Sequence, residues 1–160
     1  MDVAVFGVGN RFRRDDAVGL VVAERLTAGH RRPDLMVRQG LVWELGEAWL
    51  DADVAVVVDA MASSDAPGTI RRYDLADGPL PRHALRCSTH GFGVADAIEL
   101  ARSRGRLPRR LIVYGVVGSC FDHGCGMSAP VERAVDVVVD RILGEVDTLR
   151  RGPPGAGSHA

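Results

Sequence analysis

The chain contains no lysine, so all 20 residues in its Lys+Arg count are arginine. That excludes Schiff-base chemistry and the phosphate-gripping lysine of a P-loop. An excess of either charge is also missing. Twenty basic residues meet 21 acidic ones, for a net charge of −1, so no strong field draws the chain to nucleic acid or to a membrane surface. Apolar runs stay short of the ~18 residues that cross a bilayer. No G-x-S-x-G elbow is present to present a nucleophilic serine. Cysteine is sparse: Cys87, Cys120 and Cys125 are odd in number and follow no disulfide framework. The opening "MDVAVFG" is core-like and too short for the apolar region of a signal peptide. A reduced, cytoplasmic protein is therefore expected.

What is present suits a folded domain. The composition is 46% hydrophobic and 26% charged, ordinary for a soluble globular chain. One domain is expected over residues 1–149, a size that buries roughly 70% of the surface the unfolded chain exposes. Residues 150–160, which end in "GPPGAGSHA", are expected to form a disordered tail. Periodicity predicts strands at 2–8, 35–39, 53–59 and 111–117, with a more polar edge strand at 69–73. Helical spacing marks 16–30, through Val18, Val21, Val22 and Leu26, and 91–104, through Val94, Ala97, Ile98 and Ala101. A helical turn is expected at 43–50 and a long helix at 130–149. Strands alternating with helices predict an α/β fold, a three-layer α/β/α sandwich around a mostly parallel sheet, with its site beyond the carboxyl ends of the strands.

The stretch "GVGNRFRRDDAVG", residues 7–19, follows the first strand. A dinucleotide fingerprint needs a third small residue where Phe12 stands, and Asp15 and Asp16 would repel a pyrophosphate at the helix start. The loop reads better as a carrier of carboxylates. Asp15 suits the helix N-cap, where a side-chain oxygen accepts a backbone N–H. Asp16, one position on, is free to face the crevice above the sheet.

Two further residues fall in loops at the same end. Asp59 ends an apolar strand, where a carboxylate is costly unless something compensates it. His90 precedes a helix in "STHGFGVADAIELA". Each has a bland reading, as a strand-end or capping aspartate and as a packing histidine. Together, two carboxylates and one imidazole make a first shell for a borderline divalent ion with open positions. Two rivals stay open at this point. "CFDHGC" offers Cys120, His123 and Cys125, three ligands without a fourth. Cys87 and His90 lie three apart and could act as a nucleophile with its base.

Four blocks, "VFGVGNRFRRDDAVG", "VVDA", "STHGFGVADAIELA" and "VYGVVGSCFDHGCGMSAPVERAVDVVVDRIL", occur in that order over residues 1–149. In this order and spacing they resemble the hydrogenase maturation endopeptidases, which process the large subunit of nickel–iron hydrogenases. The resemblance implies a five-stranded mixed sheet with one antiparallel strand. It also implies that Asp16, Asp59 and His90 bind the nickel of the immature substrate and act in catalysis, a site other divalent ions could occupy. The partner it implies is a nickel-loaded large-subunit precursor, from which a C-terminal extension is cut by a monomeric enzyme. The alternative is a chaperone that checks nickel without cutting. Many members carry Asp-Gly-Gly-Thr after the second strand; here "RQGLVWEL" puts Gln39 at the aspartate's place, as in members that serve other hydrogenase groups.

Overall fold

Runs of β-branched residues set the strands, because valine side chains lose little on a pleated surface covered from both sides. The structure is a computed structural model, and it describes residues 1–29, 32–49, 51–81, 85 and 91–152. Five strands form one sheet: β1 (Val3–Val8), β2 (Leu35–Gly40), β3 (Val54–Met61), β4 (Ile70–Asp74) and β5 (Arg110–Val117). Their order is β2-β1-β3-β5-β4. All neighbours are parallel except β4, which runs antiparallel to β5 at the edge. Every residue of β1 and β3 is buried, whereas β2 and β4 mix buried or half-buried with exposed positions. The α/β sandwich, the five-stranded mixed sheet and the polar edge strand are all as expected.

Alternation divides the sheet between two cores. Val54, Val56, Val58 and Ala60 pack toward α1 (Val18–Gly29) and α4 (Ala129–Arg151). Ala55, Val57 and Met61 pack toward α2 (Leu45–Ala48) and α3 (Val94–Ser103). Helix α4 buries Val131, Val135, Val138, Val139, Ile142 and Val146 at spacings of three and four. At roughly 1.5–3 kcal/mol for each such side chain, this one stripe is a large part of the driving force for folding.

Among the boundaries that differ from those read off the sequence, two lengthen an element. Strand β3 does not end at Asp59: Ala60 and Met61 continue it, because β5 offers Val116 and Val117 as ladder partners. Helix α4 runs on through Arg151, so residues 150 and 151 belong to the helix rather than to a tail. Arg150 holds that last turn by donating to the Asp34 carbonyl at 2.9 Å and pairing with its carboxylate at 3.1 Å. Residues 153–160 lie outside the described residues.

The chain leaves β1 through α1 to reach β2 on one side, then returns to lay β3 on the other side of β1. The strand order reverses there, and a crevice opens above the carboxyl ends of β1 and β3. Its floor depends on a close strand–helix approach. A Cβ on Gly7 would overlap the Gly19 carbonyl, and one on Gly19 would overlap the carbonyls of Val8 and Val58. The tight contact that Phe12 cannot supply is thus made by Gly19, while Phe12 stays 66% exposed. Gly19→Ala is expected to cost ~3 kcal/mol, at the upper end for overpacking. At 2–4 °C per kcal/mol this lowers Tm by roughly 6–12 °C, which calorimetry will read.

Candidate active site

A turn of 3-10 helix, Arg14–Ala17, carries the chain from β1 into α1. With three residues per turn, neighbouring side chains diverge by about 120°, so the adjacent aspartates face different surroundings. Asn10 closes the loop. Its side-chain oxygen accepts the Phe12 N–H at 2.9 Å, and its own N–H donates to the Asp16 carboxylate at 3.0 Å. Asp16 is thereby held half-exposed on the wall of the crevice.

Asp15 does not cap its own helix, contrary to expectation. It is fully buried and reaches across to the loop before α4. Its carboxylate accepts the backbone N–H groups of Ser128 at 2.6 Å, Ser119 at 2.8 Å and Cys120 at 3.2 Å. It also accepts the hydroxyls of Ser128 at 2.9 Å and Ser119 at 3.2 Å. Burial opposes its ionisation, but these donors outweigh burial and hold its pKa below the usual carboxylate value. Three backbone bonds complete the seam: Asp15 N–H to Cys120 C=O at 3.0 Å, Arg14 N–H to Gly124 C=O at 3.2 Å, and Gly124 N–H to Phe12 C=O at 2.8 Å. The opening loop and the loop at 118–128 are therefore tied together.

Asp59 lies across the crevice from this loop. Period-two alternation in β3 turns it to the α2–α3 side, with Val57 and Met61. It is 6% exposed and accepts the Ala60 N–H at 2.8 Å. Burial raises its pKa well above the ordinary aspartate value, and the negative charge of Asp16 raises it further. Burial also raises Asp16, opposed by the Asn10 N–H and by the positive charge of Arg13. The two carboxylates thus share one cleft of about 340 Å3, with Arg13, Trp43, Phe92 and His123 among its other walls. Burial opposes the ionisation of both acids, and such a cleft favours a bound proton or a cation.

The structure brings Asp16 and Asp59 together, and Arg13 and His123 join them. Arg13 is anchored by its Nε donating to the Phe121 carbonyl at 3.1 Å. His90 and Cys87 lie outside the described residues; Phe92 and Gly93, which follow His90 in the chain, line the cleft. Among the described residues no three His, Cys, Asp or Glu side chains gather to hold a metal. Cys120, His123 and Cys125 therefore do not form the compact metal site their spacing suggested. Cys120 directs its thiol toward Asp122 at 3.7 Å, Cys125 is exposed, and both are free. Sequence reasoning missed Asp15 as the staple between loops and Arg13 and Trp43 as cleft walls. A fully buried aspartate next to serines 104 and 113 residues away leaves no local signal.

Residues 40–145 match the family described as HycI, hydrogenase maturation protease. Among similar proteins, the hydrogenase 2 maturation protease of Escherichia coli is 28% identical over 148 residues, covering 89% of each chain. The hydrogenase expression/formation protein HoxM of Azotobacter vinelandii is 34% identical over 143 residues, which span 84% of this chain and 67% of that one. In three dimensions, an endopeptidase from Escherichia coli superposes with a TM-score of 0.81 at 26% identity, covering 91% of this chain and 92% of that one. The hydrogenase maturating endopeptidase HybD from Escherichia coli shares the fold, with a TM-score of 0.79 at 24% identity over 92% and 93% of the two chains.

Proposed function

The chain belongs to the hydrogenase maturation protease family, and on that premise we propose that its carboxylate cleft reads the nickel of a hydrogenase large-subunit precursor and cuts off that subunit's C-terminal extension. Its activity is that of a peptidase in hydrogenase maturation. The chaperone alternative gains nothing from relatives that are themselves named proteases. Asp16 and Asp59 supply oxygen donors and His90 a nitrogen donor, a mixed set suited to a borderline divalent ion. The enzyme acts as a monomer in the cytoplasm, and among the described residues no helix is long and apolar enough to cross a membrane.

The observation that carries this reading is that Asp16 and Asp59 line one cleft at the topological switch point, with burial opposing the ionisation of both and the charge of Asp16 opposing that of Asp59 as well. Without a cation, burial and then the charge of Asp16 favour the protonated form of Asp59. The nickel delivered by the precursor takes that proton's place, so docking releases protons and tightens as pH rises. Hydrolysis consumes one water, breaks the C–N bond, and leaves a carboxylate on the subunit and an amine on the extension. Asp16, Asp59 and His90 would hold the cation, which would supply polarisation of the scissile carbonyl. Whichever of the two carboxylates loosens from it would take the proton of the attacking water and return it to the leaving amine. Arg13 lines the same cleft and adds a positive charge to it.

Asp16→Ala and His90→Ala should each leave a folded protein that no longer shortens a co-expressed precursor, by at least ~100-fold in rate. Cys120→Ser and Cys125→Ser should shorten it normally. Intact-mass spectrometry of the large subunit separates the outcomes, and full shortening by both Asp16→Ala and His90→Ala would overturn the assignment.

A further inference from the structure

The carboxylate cleft shares a wall with a second cavity. Trp43 and Phe92 line both. The second cavity holds about 110 Å3, and its other apolar walls are Ala97, Leu100 and Ala101, with Gly46 at one side. A cavity of about 150 Å3 takes benzene, so this one suits a smaller, four-carbon aliphatic group. Its rim is polar, with Arg104 and the Arg106–Glu47 pair at 3.3 Å. At the mouth, Trp43 is 67% exposed and Leu100 43% exposed. A tryptophan so exposed is unusual away from a binding surface. An apolar bottom, a charged rim and a wall in common with the acid pair describe a pocket that receives one side chain of a peptide lying across the cleft.

We propose that this cavity is a specificity subsite that takes an aliphatic side chain of the precursor beside the bond to be cut, with Trp43 as the partition between subsite and carboxylates. The proposal rests on the peptidase reading of the cleft. The occupant is a residue of the substrate, because the pocket adjoins, across Trp43 and Phe92, the cleft where the substrate's peptide bond must lie. The pocket admits one branched aliphatic chain and excludes an aromatic ring. A charged residue is refused by the apolar walls.

Gly46 provides the test. It lines the pocket, and a Cβ added there meets nothing within 4 Å, so Gly46→Leu adds bulk at the pocket's edge without a backbone clash. Leucine also raises helix propensity relative to glycine, and the fold is checked by an unchanged or higher Tm. With nickel-loaded precursor, Gly46→Leu should raise KM about tenfold or more with kcat little changed, the pattern of lost uniform binding. Leu100→Arg, which places a charge at the mouth on an exposed position, should do the same. Replacing the aliphatic residues that flank the cut by alanine, one at a time, should identify one position at which Gly46→Leu regains activity relative to the wild-type enzyme. Unchanged KM in both Gly46→Leu and Leu100→Arg would overturn the subsite while leaving the cleft intact. Failure of the cleft itself shows differently, as full activity in Asp16→Ala.

Discussion

Asp59→Asn is expected to abolish release of the C-terminal extension while making the metal-free protein more stable at neutral pH. Both effects come from removing one buried charge without changing shape. The asparagine oxygen can still accept the Ala60 N–H that Asp59 accepts at 2.8 Å. It can neither take a proton nor bind a cation as an anion does. Loss of a positioned acid–base group costs ~100- to 10,000-fold, and loss of an anionic donor adds to that. The stability effect has a definite sign. Burial first, and Asp16 second, hold the folded pKa of Asp59 above its unfolded value. The native state therefore binds this proton more tightly, and stability is lost as pH climbs from ~3.9 through the folded pKa. The asparagine variant has no such loss, so its advantage should be near zero at pH 4 and grow toward neutrality. An increase on the order of 1 kcal/mol corresponds to roughly 2–4 °C in Tm. Calorimetry across pH, together with mass spectrometry of the precursor, checks both halves. A variant that is both less stable at pH 7 and fully active would contradict the assignment.

The opposite pattern is expected one residue from the active acid. Asp15→Ala should cost at least ~3 kcal/mol, or roughly 6–12 °C in Tm. Its carboxylate accepts three backbone N–H groups and two hydroxyls in a fully buried position. Truncation leaves those donors without their buried acceptor and loosens the 118–128 loop from the opening loop. Asp15→Asn should recover little, because its amide turns a donor toward donors. The pH dependence is again signed. Donated bonds outweigh burial and keep the folded pKa of Asp15 below its unfolded value. Its contribution is present above the unfolded pKa of ~3.9 and disappears as pH falls through the folded value. Wild type and Asp15→Ala should therefore converge in stability below pH ~4 and separate above it. Urea unfolding at several pH values measures this, and parallel curves would show that the carboxylate is not the source of the loss.

Much of the architecture is written in valine. The runs at 3–8, 54–58 and 111–117 can only be strands buried on both faces, and alternation within β3 already puts Asp59 on the face opposite Val58. The spacing of apolar residues in α4 gives the helix its place, and its missed final turn reflects partners outside the helix: Asp34 lies 116 residues away from Arg150. The end of β3 was hidden for the same reason, since only β5 decides how far its ladder continues. Near the site, sequence sent Asp16 of "RRDD" to the crevice but gave Asp15 to its own helix cap, because the partners that take it, Ser119 and Ser128, lie more than 100 residues away. Spacing alone also made Cys120, His123 and Cys125 look like ligands. The fastening of their loop to Phe12, Arg14 and Asp15 turns His123 to the cleft and leaves Cys125 in solvent.

The central claim is that the acid pair at the switch point recognises nickel in the substrate and cuts only when it is there. The most direct test incubates the purified protein with two forms of one precursor, nickel-loaded and nickel-free, and follows the released C-terminal peptide by mass spectrometry. The account predicts release from the loaded form alone, absent for both forms with Asp59→Asn. Equal rates of release from the two forms would contradict it.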